Sequence, residues 1–353
     1  MLGVTTHRNN VGGPQVRRLT SVARIAIPLA GALVLSACSA TGQDSSDSLQ
    51  VVANPVAAKP AASPARTAPP AGQVIAMPGV SAIATDAQSH TLVVALGQPP
   101  SVRVYDLGAL GSPKATVALP GPAESLTASG GEAIASVPGK GVLTRISLPG
   151  GQAKAEPVAG QPAEGVPDGA NTLVAVRDRK AVEVLAGGKV TKTITGQLYS
   201  ADGVVKTDSG AVVLDRLRTA VFSVDVQAGT MDEGLRAGDG AANAVADSFG
   251  RVLVTDARAG ALLAFSTGPL ILRQRYPVPG GPYGLAYDHR RNLAWVTLTG
   301  RNEVVGFDVR GGEPVEKYRF PTVRQPDSVG VDEQSGRVIV GSAAGEGTQV
   351  IQP

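Results

Sequence analysis

From residue 73 onward the chain is built from short apolar runs separated by small polar turns, with no long amphipathic stretches. TLVVAL (91–96), AVVL (211–214), RVLV (251–254) and RVIV (337–340) are almost wholly apolar, as expected of strands buried on both faces. Each follows a turn rich in Asp, Ser, Gly or Asn, and before that turn lies a strand that begins with small residues. Such turn residues suit tight hairpins, because they tolerate left-handed backbone or bond their own main chain. One residue marks each turn: Asp86, Ser129, Asp168, Asp208, Asp247, Asp288 and Asp332. The spacing is about 40 residues, in the range of four-stranded repeat units.

Two further strands complete each unit, as in SVRVYDL (101–107) with KATVALPG (114–121), or NEVVGFDV (302–309) with KYRFPTV (317–323). The pattern predicts an all-β fold, a seven-bladed β-propeller of four-stranded antiparallel blades over residues 73–353. We name the strands a to d from the axis outward. The seventh unit has DSVGVD (327–332), GRVIVG (336–341) and TQVIQ (348–352), then ends at Pro353 without a fourth strand. QVIAMPG (73–79) has the form that ends earlier units, such as ATVALPG (115–121) and RYPVPG (275–280). It is therefore the expected fourth strand of the last blade, and closes the ring without leaving a free edge there.

The first 37 residues read as a targeting segment. Arg17, Arg18 and Arg24 lead into IAIPLAGALVLSA (25–37), which is too short for a membrane span and contains Pro28. The run ends in LSAC (35–38), a lipobox pattern that predicts a lipoprotein signal peptide and lipidation at Cys38. Cys38 is the only cysteine, so it has no disulfide partner. The pair Arg17-Arg18 leaves both twin-arginine and general secretory export open. Residues 38–72 read as the lipidated Cys plus an Ala/Pro/Ser-rich tether with too little apolar surface for a core. The expected location is outside the cytoplasm, anchored through lipid to the outer face of the membrane or the cell surface.

Charge changes the picture only after this division. The chain carries 32 Lys+Arg and 29 Asp+Glu, but four of the basic residues and none of the acidic ones precede Cys38. That leaves 28 against 29 from Cys38 onward. A near-neutral exported domain gives no reason to expect a nucleic-acid partner.

VADSFGRVLVTDARAGALLAF (245–265) resembles an NHL repeat, and YDHRRNLAWVTLTGRNEVVGFDV (287–309) resembles a YVTN repeat. With the lipobox, the chain is similar to surface lipoproteins of mycobacteria and related actinobacteria that carry such propellers. The resemblance implies a fold and an envelope setting, since propeller repeats host many unrelated activities.

Catalytic constellations are sparse. His90 and His289, the only histidines after the signal segment, fall in a-to-b turns, on the face opposite the blade-to-blade crossings where propeller ligands usually sit. No histidine pair has zinc spacing, and no nucleophile-elbow or phosphate-loop motif is present. Trp295 is the only tryptophan, which argues against the repeated Trp motif of quinone-dependent propeller dehydrogenases. With aromatics at 3%, stacking recognition of sugars is not favoured either.

Two sets of residues remain as candidates. Where inner strands meet the channel, Ser81, Glu124, Glu164, Asp202, Asn243, Tyr283 and Asp327 should ring one mouth. Such oxygen donors suit a hard cation such as Ca²⁺, or else line a wet pore. QPDSVGVD resembles the segment that carries the metal-binding Asp of lactonase propellers, which implies a metal role for Asp327 and, by the same likeness, for Glu124. Tyr283 stands where those enzymes have Asn, and their Trp after the Glu is missing. Farther out on the same face, Lys140, Arg179, Arg218, Arg258 and Arg301 fall in b-to-c loops. They form either an anion-binding ring or structural pairs with neighbours such as Asp178, Asp215 or Asp256. The function expected is a lipid-anchored binding or scaffold module for an envelope protein, polymer or small molecule, with no cofactor. The alternatives are a metal-dependent lactonase or lyase and a purely structural envelope component.

Overall fold

The computed structural model describes residues 53–353. The predicted signal segment, Cys38 and the predicted tether up to residue 52 lie outside the described residues. Seven four-stranded antiparallel sheets follow in chain order. Blade 1 is Val80–Asp86, Thr91–Leu96, Ser101–Asp106 and Ala115–Ala118, and blades 2 to 6 repeat this order. Blade 7 takes Pro326–Asp332, Arg337–Ser342 and Thr348–Ile351 from the end of the chain and Gln73–Ile75 from the front. The register is Gln73↔Val350, Val74↔Gln349 and Ile75↔Thr348, so the two ends close the ring as expected. The paired strand is shorter than 73–79. Pro78 has no N–H to donate to a ladder, and Gly79 is already turning toward blade 1, where its carbonyl accepts the N–H of Gly97.

The b strands fulfil the apolar pattern: Thr91–Leu96 and Leu293–Leu298 are buried at every position. Their side chains pack between blades. Leu173 and Ala175 of blade 3 meet Val204, Val213 and Phe222 of blade 4 in one cluster. Leu253 of blade 5 joins Leu285, Val296 and Phe307 of blade 6 in another. Trp295, the largest fully buried side chain, lies over Gly306 directly across the ladder, and a Cβ on that glycine would sit 2.8 Å from the indole.

Asp86, Asp247 and Asp332 hold their a-to-b hairpins by the expected chemistry. Asp86 accepts the N–H and hydroxyl of Ser89, Asp247 accepts the N–H groups of Phe249 and Arg251, and Asp332 accepts the N–H of Gln334. These are side-chain mimics of backbone turns.

Residues 53–72 differ from the free tether the composition suggests. They run along the face bearing the blade-to-blade crossings, and Ala58 is buried. Apolar burial is not what holds them. Side chains of the propeller donate to the carbonyls of Val56, Ala58, Ala61 and Pro64. Close to blade 7, Ala71 donates to the Pro321 carbonyl and its own carbonyl accepts from Gln349. A low-hydrophobicity segment can be seated by main-chain hydrogen bonds, which composition does not report.

Candidate functional site

The inner strands bring the predicted mouth residues to one end of the channel, where two arginines, Arg177 and Arg216, link them. Arg177 follows the b strand of blade 3. Its Nε donates to Asp202 Oδ1 at 2.8 Å and a terminal nitrogen donates to Glu124 Oε2 at 2.7 Å. One guanidinium thus ties blades 2, 3 and 4, with Asp202 nearly buried and Glu124 half-exposed. Arg216 stands at the matching place in blade 4. Its backbone N–H donates to Asp202 Oδ2 at 2.9 Å. Its side chain donates to Tyr283 Oη at 3.2 Å and to the Ala58 carbonyl, and its charge lies 5.9 Å from the Tyr283 ring centre. Asn243 Nδ2 donates to the Tyr283 carbonyl at 2.9 Å. The result is a continuous polar network from blade 2 to blade 6.

The other two carboxylates have private partners. Glu164 Oε2 accepts the Val204 N–H at 2.9 Å, and burial pushes its pKa up to about 7 against the lowering effect of that bond. Asp327 Oδ1 accepts Gln325 Nε2 at 2.8 Å, and burial pushes its pKa up to about 6. Both shifts are desolvation effects, which disfavour the charged form.

Arg216 lines three neighbouring cavities on this face. One of about 90 Å³ lies among Glu124, Glu164, Asp202 and Asn243. A second, of about 540 Å³, lies between Val56–Lys59 and the side chains of Tyr199, Leu217 and Tyr283. The third, of about 690 Å³, is lined by Ser81, Glu124, Tyr283 and Asp327.

The calcium expectation does not fit this arrangement. Glu124 and Asp327 border one cavity, but Glu124 is paired with Arg177 and Asp327 is bonded to Gln325. Among the described residues no three His, Cys, Asp or Glu side chains come together closely enough to hold a metal ion. A guanidinium already occupies the electrostatic role a cation would take.

The outer basic residues do not converge either. Arg218 is buried, donates to the Gln197 carbonyl, lies 4.8 Å from the Tyr199 ring centre, and its N–H donates to Asp215. Arg179 pairs with the buried Glu183 at 3.1 Å. Arg258 donates to the carbonyls of Asp239 and Val56. Lys140 packs beside Gly121, and Arg301 packs against Gly280. The side chains of Arg179, Arg218 and Arg258 thus serve their own b-to-c turns or the neighbouring chain, through partners other than the Asp178, Asp215 and Asp256 carboxylates named from the sequence. Arg177 and Arg216 were missed because both occur in R-x-R pairs, RDR (177–179) and RLR (216–218). Counting about eleven residues past the turn mark selects the outward member of each pair. Adjacency to the end of the b strand is the signal that selects the inward one.

At the opposite mouth, a cavity of about 500 Å³ is lined by Asp86, Gln88, Tyr287, His289 and Glu333. His289 lies in an a-to-b turn as expected and its Nδ1 is 2.7 Å from Glu333 Oε1, an ion pair that raises the histidine pKa. His90 sits 3.7 Å from Asp106.

Comparison with known proteins places the chain by fold alone. No protein-family model and no curated protein matches it. Solved propellers do. A chain of Kuenenia stuttgartiensis hydrazine synthase aligns with a TM-score of 0.67 at 17% identity, over 80% of this chain and 97% of that one. A streptogramin B lyase aligns at 0.66 and 10% identity, over 80% and 96%. Virginiamycin B lyase from Staphylococcus aureus aligns at 0.65 and 11%, over 79% and 98%. A chain of the mitotic checkpoint complex scores 0.66 at 9% identity. Lyases, a synthase and a checkpoint assembly share this fold, so the likeness carries architecture and no activity.

Proposed function

We propose that this protein is a lipid-anchored, extracytoplasmic β-propeller of the cell envelope that binds a ligand or protein partner at the channel mouth bearing Arg216. The observation that supports binding over hydrolysis is the state of the mouth carboxylates. Glu124 and Asp202 are held by Arg177, Asp327 by Gln325, and Glu164 by a backbone N–H. Such groups position a surface and present Arg216 and Tyr283 to a partner. Arginine and tyrosine are also the residues most often found to dominate recognition surfaces. The lipid anchor rests on LSAC (35–38) and the basic, apolar run before it.

Two experiments test this reading. Membrane fractionation of cells expressing the wild type and Cys38→Ala should find the wild type in the membrane and the variant released; retention of the variant would remove the anchor from the account. A photo-crosslinking amino acid at Tyr199, 38% exposed beside the mouth, should give a defined adduct in intact membranes. The same amino acid at Phe249, on an a-to-b turn and 45% exposed, should give none. Equal labelling from both positions, or none from Tyr199, would contradict recognition at this mouth.

The rival reading, a metal-dependent lactonase or lyase, has in its favour that Glu124 and Asp327 border one cavity. It requires a divalent ion, so a rise in Tm on adding one such ion would separate the two.

A further inference from the structure

The segment over the mouth is held in a way that identifies what else this face can hold. Its carbonyls are met by side-chain donors from four blades: Arg258 on Val56, Arg216 on Ala58, Gln325 on Ala61 and Asn302 on Pro64. Ser63 is fixed from both sides. Its N–H donates to Gln325 Oε1 at 3.0 Å, its hydroxyl donates to the Thr299 carbonyl at 2.6 Å, and the same hydroxyl accepts the Gln325 N–H at 2.9 Å. Apart from the two made through the Ser63 hydroxyl, these contacts are to the main chain and do not depend on which side chains the segment carries.

Side-chain selection comes from the glycines beneath. A Cβ on Gly240 would lie 3.0 Å from the Ala58 methyl, and one on Gly281 would lie 2.9 Å from the Ala61 methyl. The face therefore accepts an extended chain with small residues at two positions three apart. Prolines at other positions are compatible, because an extended proline-rich chain presents its carbonyls and lacks amide protons that need partners. Most of residues 61–69 remain exposed on their outer side, as expected of a strip laid in a surface groove.

We infer that this face is a groove for extended Ala/Pro-rich polypeptide, that residues 56–64 occupy it in cis, and that a segment of the same chemistry from a partner protein displaces them. Displacement removes the Val56–Lys59 wall of the 540 Å³ cavity and frees Arg216 from the Ala58 carbonyl. The inference rests on the binding reading above and names its partner class. Exchange is plausible in energy as well as geometry. The strip is continuous with the closing strand, and a short connection gives an effective concentration in the millimolar range. A strip seated under those terms has a dissociation constant below about 1 mM as a free peptide.

The test uses the 53–353 chain with a specific protease site in place of residues 67–70, cut and freed of the strip by gel filtration. A fluorescent peptide of residues 53–66 is then titrated and read by anisotropy, with the melting profile confirming that the ring stays folded. Saturable binding below about 1 mM is expected, weakened at least about tenfold by Ala58→Arg in the peptide or by Gln325→Ala in the protein, as loss of a fitted contact and of two main-chain hydrogen bonds requires. If cutting unfolds the ring, the uncut chain carrying a fluorophore at Lys59→Cys reports displacement by the same peptide. No saturation at several millimolar, or equal binding of the Ala58→Arg peptide, would overturn the groove. A stable dimer of the uncut chain with exchanged strips would overturn the partner in favour of a second copy. Labelling from Tyr199 without peptide binding would leave recognition at the mouth standing and remove only this partner class.

Discussion

Replacing Glu164 with Gln should stabilise the protein at pH 8 and leave it unchanged at pH 5. The carboxyl lies within the channel wall, its only described partner is the Val204 N–H, and burial raises its pKa from 4.5 to about 7. An acid whose pKa is raised on folding binds more protons in the folded state than in the unfolded state between those two values. Stability is therefore fully present below pH 4.5 and falls as pH rises toward 7. At 1.36 kcal/mol per unit, the shift corresponds to about 3 kcal/mol, and water in the channel mouth reduces this to about 2. Gln is neutral throughout and keeps an oxygen to accept the Val204 N–H. For a fold of this size about 2 kcal/mol is a rise of about 3–4 °C in Tm at pH 8. Thermal unfolding of wild type and Glu164→Gln across pH 5 to 8 measures it, the two curves converging at the acid end. A lower Tm for the variant at pH 8 would show that Glu164 is stabilised as a carboxylate, and the same difference at both ends would show that its titration does not set stability; either result overturns the prediction.

Other outcomes follow from the same geometry. Arg177→Met removes the bonds to Glu124 and Asp202. Because Asp202 is nearly buried and Glu124 half-exposed, the loss should be about 2–3 kcal/mol, most of it from Asp202. A double-mutant cycle with Asp202→Asn should show coupling above about 1 kcal/mol, and additivity would contradict the bridge. Gly72→Ala should loosen the ring at its closure. Gly72 has φ +68° and a Cβ there would lie 2.2 Å from the Val350 carbonyl oxygen. Hydrogen exchange in Thr348–Ile351 should accelerate well before exchange in the b strand of blade 3, and uniform exchange would argue against a local closure point.

The sequence carried the ring because its determinants are local and repeated. An Asp closing a turn and an apolar run behind it recur every forty residues or so, and the missing fourth strand after Ile351 has its complement in Gln73–Ile75. The mouth positions were legible for the same reason, since Glu124, Glu164, Asp202 and Asn243 sit at matching points of blades 2 to 5. What those residues do was not legible. Whether Glu124 faces a metal or a guanidinium depends on the reach of Arg177, a long side chain whose partners are 53 and 25 residues away in sequence. The seating of Ala58 was equally hidden, because it depends on donors that arrive from blades 4 to 7 and on glycines whose role is to leave space. Composition registers how much apolar surface a segment has, and this one is held by its carbonyls.

If the mouth is organised by arginine and the proposed recognition needs no metal, divalent ions leave the stability of the ring unchanged. The most direct measurement is the Tm of the 53–353 chain in chelator and then in 1 mM Ca²⁺, Mg²⁺, Mn²⁺ or Zn²⁺, concentrations chosen as about 100-fold above a 10 μM site. Such a site would add about 2.7 kcal/mol by mass action, or roughly 5 °C for a fold of this size. The account predicts midpoints that agree within about 1 °C, since that corresponds to less than about 1 kcal/mol. A rise of several degrees with one ion, abolished by Asp327→Asn, would contradict it and return the mouth to metal-dependent chemistry.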